Sequence, residues 1–155
     1  MDCWRLESRW SQRYFDDPLL EECFRILRPG EVRRLAESGM TIGAHTLSHP
    51  MLSQQSNTWA QTEIAASRQL LRDCSNQPVW AMAYPFGNEG AVGARESQLA
   101  ENAGYQCAFM NIEGELDRAN KFFLPRVHVT SEMTPDVFEA HVSGLHEMLR
   151  SRAPF

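Results

Sequence analysis

Two hydrophobic periods alternate along this chain, and each change of period marks an element. Residues 40–44, 79–84 and 105–110 are short runs of apolar and small residues bounded by glycine, proline or polar positions, as expected of strands buried on both faces. Between them the period lengthens. Residues 57–74 place Trp59, Ile64, Ala65, Leu70 and Leu71 on one predicted helical stripe, and residues 92–103 predict a second helix, stopped by Gly104. Upstream, Pro29 suits a first helical turn, Val32, Leu35 and Ala36 share a face, and Gly39 suits a left-handed cap. Residues 122–129 read as one more extended segment. Thr134 and Pro135 then open a last helix as N-cap and first helical residue, assigned to 134–155. Residues 1–28 show no clear period. Trp4, Trp10, Tyr14 and Phe15 lie there among many charges, as hydrophobic packing residues or as a sugar platform.

Strands alternating with helices of these lengths require parallel neighbours joined by right-handed crossovers, so the expected fold class is α/β. With 155 residues and no internal repeat, the chain is read as a single domain over 1–155. Its 43% hydrophobic and 23% charged content excludes a wholly disordered or fibrous chain. Fifteen basic against twenty acidic residues give a net charge of -5, and no basic stripe could track phosphates, so nucleic acid is excluded as a partner. No stretch has the roughly 18 apolar residues of a membrane span, and the first nine residues lack an export signal, which makes the chain cytoplasmic as written. Cys3, Cys23, Cys74 and Cys107 have no CxxC spacing and fit packing roles in a reducing compartment.

The fragment with most chemistry is Gly43-Ala44-His45-Thr46-Leu47-Ser48-His49-Pro50, which sets two imidazoles four positions apart where a buried strand runs out. Open α/β sheets keep their sites at that end. Neutral imidazole nitrogen binds Zn²⁺ and similar ions at about 2.0–2.1 Å. Two histidines alone are not a complete catalytic site, which needs about three protein ligands and an open position, so a third ligand, a carboxylate, is expected from elsewhere. The competing reading is that both rings cap a helix or bond to backbone. A second fragment, Ala83-Tyr84-Pro85-Phe86-Gly87-Asn88, ends the next strand and so belongs at the same rim. Its turn offers backbone N–H groups for an oxyanion and an aromatic wall for a sugar ring, with Tyr84, Pro85 and Phe86 as the candidate substrate-binding residues; alone, it reads first as an ordinary strand-ending turn.

Taken together the two fragments resemble the polysaccharide deacetylase family, carbohydrate esterase family 4. The run His45-Thr46-Leu47-Ser48-His49 matches the family's His-(Ser/Thr)-x-x-His motif, including the preceding Ile42-Gly43-Ala44 and the following Pro50-Met51-Leu52. Ala83-Tyr84-Pro85-Phe86-Gly87 is similar to a variant of its Arg-x-Pro-(Tyr/Phe)-Gly motif, with Ala83 in place of arginine. The resemblance continues through Ala103-Gly104-Tyr105 and Leu124-Pro125-Arg126-Val127, covering roughly residues 27–130. It implies a distorted (β/α) barrel and a divalent metal, usually zinc, with His45 and His49 as ligands. It further implies a polysaccharide or oligosaccharide substrate that loses an acetyl group, the Phe86 N–H as oxyanion donor, and a late histidine that protonates the departing amine. Members are often exported.

The family's Thr-Phe-Asp-Asp-Gly motif, source of its metal-binding and basic aspartates, has no good counterpart. Phe15-Asp16-Asp17-Pro18 lacks the glycine and lies too close to His45 for the usual intervening strand and helix. The barrel is therefore expected to be incomplete, with an open sheet edge suited to homo-oligomer formation. His128 is the candidate general acid, although its neighbours do not reproduce the family's Leu-x-His motif. Arg126 is a candidate to orient a carboxylate or contact substrate, with a rim ion pair as the alternative. His141 and His146 read as surface or packing residues, and Asp117 and Arg118 take no assignment. Three functions follow in order: a metal-dependent deacetylase read from an N-terminally truncated chain, a catalytically impaired relative that binds carbohydrate or a partner, and an α/β domain with structural histidines.

Overall fold

The computed structural model describes residue 18, residues 25–114 and residues 120–145. The aromatic and acidic residues of the N-terminal segment, Asp117, Arg118 and His146 lie outside the described residues.

The first helix, α1 (Pro29–Glu37), begins where Pro29 fixes the helical φ and the Glu31 carboxylate turns back to accept the Arg28 N–H at 2.8 Å. It ends at Ser38 and Gly39, whose φ of 89° is the left-handed stop expected there. The Met40 N–H donates to the Leu35 carbonyl. This contact draws the predicted strand of residues 40–44 into the helix end, and sheet pairing starts only at Ala44. A single 3₁₀ turn (Leu52–Gln54) follows, then the long helix α2 (Asn57–Ser75), N-capped by the Ser56 hydroxyl, which accepts from the Trp59 N–H.

The predicted stripe on α2 is rotated from the face that packs. Trp59 is 52% exposed and Leu70 54%, while Ala60, Glu63, Ile64 and Ser67 are buried. Their spacing of three, one and three residues is a true helical face, but half of it is polar, so hydropathy alone cannot find it.

The strands β1 (Ala81–Ala83) and β2 (Cys107–Phe109) pair in parallel, Met82 opposite Ala108. Single parallel bridges extend the ladder on both sides, Ala44 to Met82 and Phe109 to Leu124. Four chain segments thus run side by side in the order 44, β1, β2, 124, the parallel arrangement the alternating pattern requires. Main-chain bonds from Gln106 to Trp80 and from Tyr84 to Phe109 continue β1 and β2 slightly beyond their named ends. The extended segment of residues 122–129 joins the ladder at Leu124, and the Arg126 N–H donates to the Ile112 carbonyl just beyond β2. Helix α3 (Ala94–Asn102) returns the chain between β1 and β2, and α4 (Pro135–Val142) opens on the Thr134 hydroxyl, which accepts from the Val137 N–H.

The core lies between sheet and helices, built on Ile64, Val79, Met82, Tyr84, Tyr105 and Ala108. Among the described residues, no helix is long and apolar enough to cross a membrane.

Candidate active site

Two loops leave neighbouring parallel segments at their carboxyl ends and meet. Ala44 exchanges main-chain bonds with Ala81 and Ala83, so the next residue, His45, is set directly beside the end of β1. Its Nδ1–H donates to the Ala83 carbonyl at 2.8 Å. A carbonyl only accepts, so this contact places the proton on Nδ1 and leaves the Nε2 lone pair facing away from the sheet, the arrangement common in metal-binding histidines. Thr46 and His49 take φ values of 64° and 57°, a left-handed backbone rare for residues with a side chain. The tight turn between them brings the two imidazole centroids to 4.8 Å, inclined at 72°.

The second loop completes a cluster of three rings. The Phe86 ring meets His49 edge-on, with centroids 5.1 Å apart, and is 48% exposed. Phe86 has a φ of 62°, and the Gly87 N–H closes a three-residue turn on the Pro85 carbonyl at 2.7 Å. Gly87 is required twice over. Its own φ is 63°, and a Cβ there would stand 2.5 Å from the Asn111 nitrogen, whose N–H donates to the Gly87 carbonyl. With the turn pinned from below, the Phe86 N–H donates to none of the described residues. A left-handed phenylalanine is local strain of the kind that collects at functional sites.

The three expected wall residues separate. Phe86 keeps its exposed ring, but Tyr84 is 0% exposed and Pro85 is also enclosed, so those two side chains belong to the core and cannot face a sugar. The alternation of a strand end turns Tyr84 inward, opposite to the reading of all three as one wall. Burial pushes the Tyr84 phenol well above its ordinary range, and the nearby Glu96 charge adds to the effect. Its hydroxyl has no hydrogen-bond partner among the described residues.

Arg126 reaches the same rim from the fourth segment: its Nε donates to the Met110 carbonyl at 2.7 Å, next to the Asn111 that supports Gly87. His128 is exposed, and no contact joins it to His45, His49 or Phe86. His141 is half-buried in the last turn of α4.

One residue of the rim is missed by the sequence reading. Glu63, 3% exposed on the packed face of α2, accepts the Leu47 N–H at 2.8 Å, the Ser48 N–H at 2.9 Å and the Ser48 hydroxyl at 2.7 Å. Burial alone would raise its pKa, but the three hydrogen bonds together outweigh desolvation and hold it below the usual 4.5. The available signal is its place in the Ala60, Glu63, Ile64, Ser67 spacing.

As a metal-binding surface the imidazole pair has the right chemistry: two nitrogen ligands, one with its Nδ1 tied to a carbonyl, on rings that meet edge-on. Among the described residues there is no group of three or more histidine, cysteine, aspartate or glutamate side chains able to hold an ion.

A parallel sheet with its polar chemistry gathered at the carboxyl ends of neighbouring strands defines the class as an α/β protein with a rim site. The chain belongs to the polysaccharide deacetylase family, whose sequence profile matches residues 5–108. It is 28% identical over 118 residues to YxkH of Bacillus subtilis (strain 168), which carries the polysaccharide deacetylase name; the match takes in 74% of this chain and 40% of YxkH. Its fold is similar to the Streptococcus pyogenes deacetylase PplD, solved in complex with acetate, at a TM-score of 0.70 and 27% identity over 76% of this chain and 51% of PplD. The polysaccharide deacetylase BC0361 from Bacillus cereus superposes at a TM-score of 0.67 with 22% identity, over 77% of this chain and 37% of that one. The chain therefore spans about half the length of these relatives or less.

Proposed function

We propose that this chain forms part of a distorted (β/α) barrel whose rim serves in removing acetyl groups from a polysaccharide, with an N-acetylated sugar as substrate. The observation that carries the reading is the His45–His49 pair, at 4.8 Å, standing against Phe86 at the carboxyl end of β1. His45 and His49 would hold a divalent cation, zinc in this reading, with a carboxylate from elsewhere. Such an ion, when bound, supplies Lewis acidity toward water and toward an acyl oxygen.

The chain's own groups account for the rest of the rim. The Phe86 N–H, without a partner among the described residues, would donate to an oxygen on which charge develops, and such a donor is commonly worth about 10²–10³ in kcat. The exposed Phe86 ring offers an apolar face against which a sugar ring packs. Arg126, tied at Nε, retains terminal N–H groups to orient substrate, and His128 is assigned to protonate the departing amine.

The test is acetate release from an N-acetylated oligosaccharide by zinc-loaded protein. Activity that falls to background in His45→Ala and in His49→Ala, with both variants folded, is the expected result. Wild-type rates in either variant would remove the imidazole pair from the reaction.

A further inference from the structure

The turn that presents the two imidazoles has little hydrogen bonding of its own. Thr46 and His49 are both left-handed, and the only side-chain bond within the turn is a long one, from the His49 N–H to the Thr46 hydroxyl at 3.2 Å. Residues with a Cβ leave that conformation readily unless their surroundings fix it. Between them, the consecutive N–H groups of Leu47 and Ser48 converge on a single oxygen of Glu63, and the Ser48 hydroxyl takes the other. Three donors at 2.7–2.9 Å on one carboxylate are charge-assisted bonds, stronger than neutral ones.

The dependence is mutual. Glu63 is buried on α2 and forms no ion pair with the described residues, so the turn's donors are its compensation for leaving water. Conversely, without the carboxylate those two N–H groups must find water or another backbone shape. Glu63 belongs to a nineteen-residue helix whose packed face also carries Ala60, Ile64 and Ser67, so its own position is fixed by the core.

We propose that Glu63 is a positioning residue for the imidazole pair: it holds the turn of residues 46–49 in the one shape that lets His45 and His49 reach the same cation. The inference rests on the reading of those histidines as ligands and goes beyond it by naming the group that prearranges them. No hydrogen bond joins Glu63 to either ring; it acts through the main chain of Leu47 and Ser48 and the Ser48 hydroxyl.

Zinc affinity of the full chain, measured by competition with a chromophoric chelator, tests the proposal alongside the visible spectrum of the cobalt-substituted protein and amide exchange at Leu47 and Ser48 without metal. In Glu63→Met, of similar length but unable to accept these bonds, zinc binding should weaken by about 10–100-fold, the range for supporting groups around a metal. The two amides should exchange faster and the cobalt spectrum should change. Glu63→Gln should recover most of the affinity, because its amide oxygen can still accept both N–H groups, a rescue that a loss of general stability would not show. Should Glu63→Met fail to fold, Ser48→Ala removes one of the three bonds and should show the same changes at smaller size. Wild-type affinity and cobalt spectrum in folded Glu63→Met, or in Ser48→Ala where only that variant folds, would overturn the proposal. Zinc binding that His45→Ala and His49→Ala leave unaltered would instead overturn the ligand reading on which it rests, while fast exchange at Leu47 and Ser48 in Glu63→Met would still report the carboxylate's hold on the turn.

Discussion

Glu63 also connects this rim to acid stability. Its carboxyl is held below 4.5 in the folded chain, so its contribution is fully present above that value and is lost as pH falls through the lower folded value. Glu31, lowered to about 2 chiefly by its hydrogen bonds from the Arg25 side chain and the Arg28 N–H, behaves in the same direction but is common to the protein and its Glu63 variants. Denaturant midpoints followed from neutral pH downward should therefore fall more steeply below about 4.5 in the wild type than in Glu63→Gln; parallel curves would show that Glu63 carries no such linkage. At this scale the site was partly legible. His45, His49 and Phe86 could be found because strand ends on a parallel sheet share a rim, so each motif is placed by its own short stretch of sequence. Tyr84 was misread because inside and outside exchange at every residue of a strand end. Glu63 was hidden because an acidic residue in a helix is ordinarily solvated, and only the packed face of α2 reveals otherwise.

Elements are joined across this rim by a second charged residue. Arg95, in the first turn of α3, donates to the carbonyls of Leu52 and Gln55 at 2.6 and 2.9 Å and to the Asn57 side chain, and pairs with the buried Glu96. It thereby ties the 3₁₀ turn that follows the histidine loop to the helix between the two strands. Arg95→Ala should lower stability by about 1–3 kcal/mol, the range for losing charge-assisted hydrogen bonds, here to part-buried acceptors, read as a shifted denaturant midpoint with unchanged slope. A midpoint within error of wild type would mean that water replaces the guanidinium. Helix starts and stops are legible from caps and glycines, as at Thr134 and Gly39, but the last helix is shorter than the 134–155 expected: it closes at Val142, with Ser143 as C-cap and Gly144 in the left-handed conformation. The sequence pattern overextends the strands: residues 40–43 and most of 122–129 make no main-chain bond of the ladder, and Met40 donates instead to the end of α1. The stripe on α2 was misplaced because Glu63 and Ser67 pack where hydropathy expects apolar side chains.

For the molecule as a whole, cation binding and folding should be linked. A ligand bound only by the folded state stabilises it by about 2.7 kcal/mol at one hundred times its Kd. Zinc at that excess should raise the melting temperature of the wild-type chain by several degrees and leave a variant carrying both His45→Ala and His49→Ala unmoved; equal shifts in the two proteins would point to ions held elsewhere. The parallel order of the sheet segments was legible at this scale because alternating strands and helices admit few topologies.

Much of the rim chemistry is carried by peptide groups: the Ala83 carbonyl fixes a tautomer, Leu47 and Ser48 lend their amides, Phe86 exposes another and Met110 anchors a guanidinium. An alanine scan is blind to such atoms, since truncating Leu47 or Phe86 leaves the amide in place and position 83 is alanine already. Variants collected by side-chain mutagenesis would draw a functional map much smaller than the surface at work, and backbone amide-to-ester replacement at Leu47, Ser48 and Phe86 is the chemistry that would fill in its amide contributors.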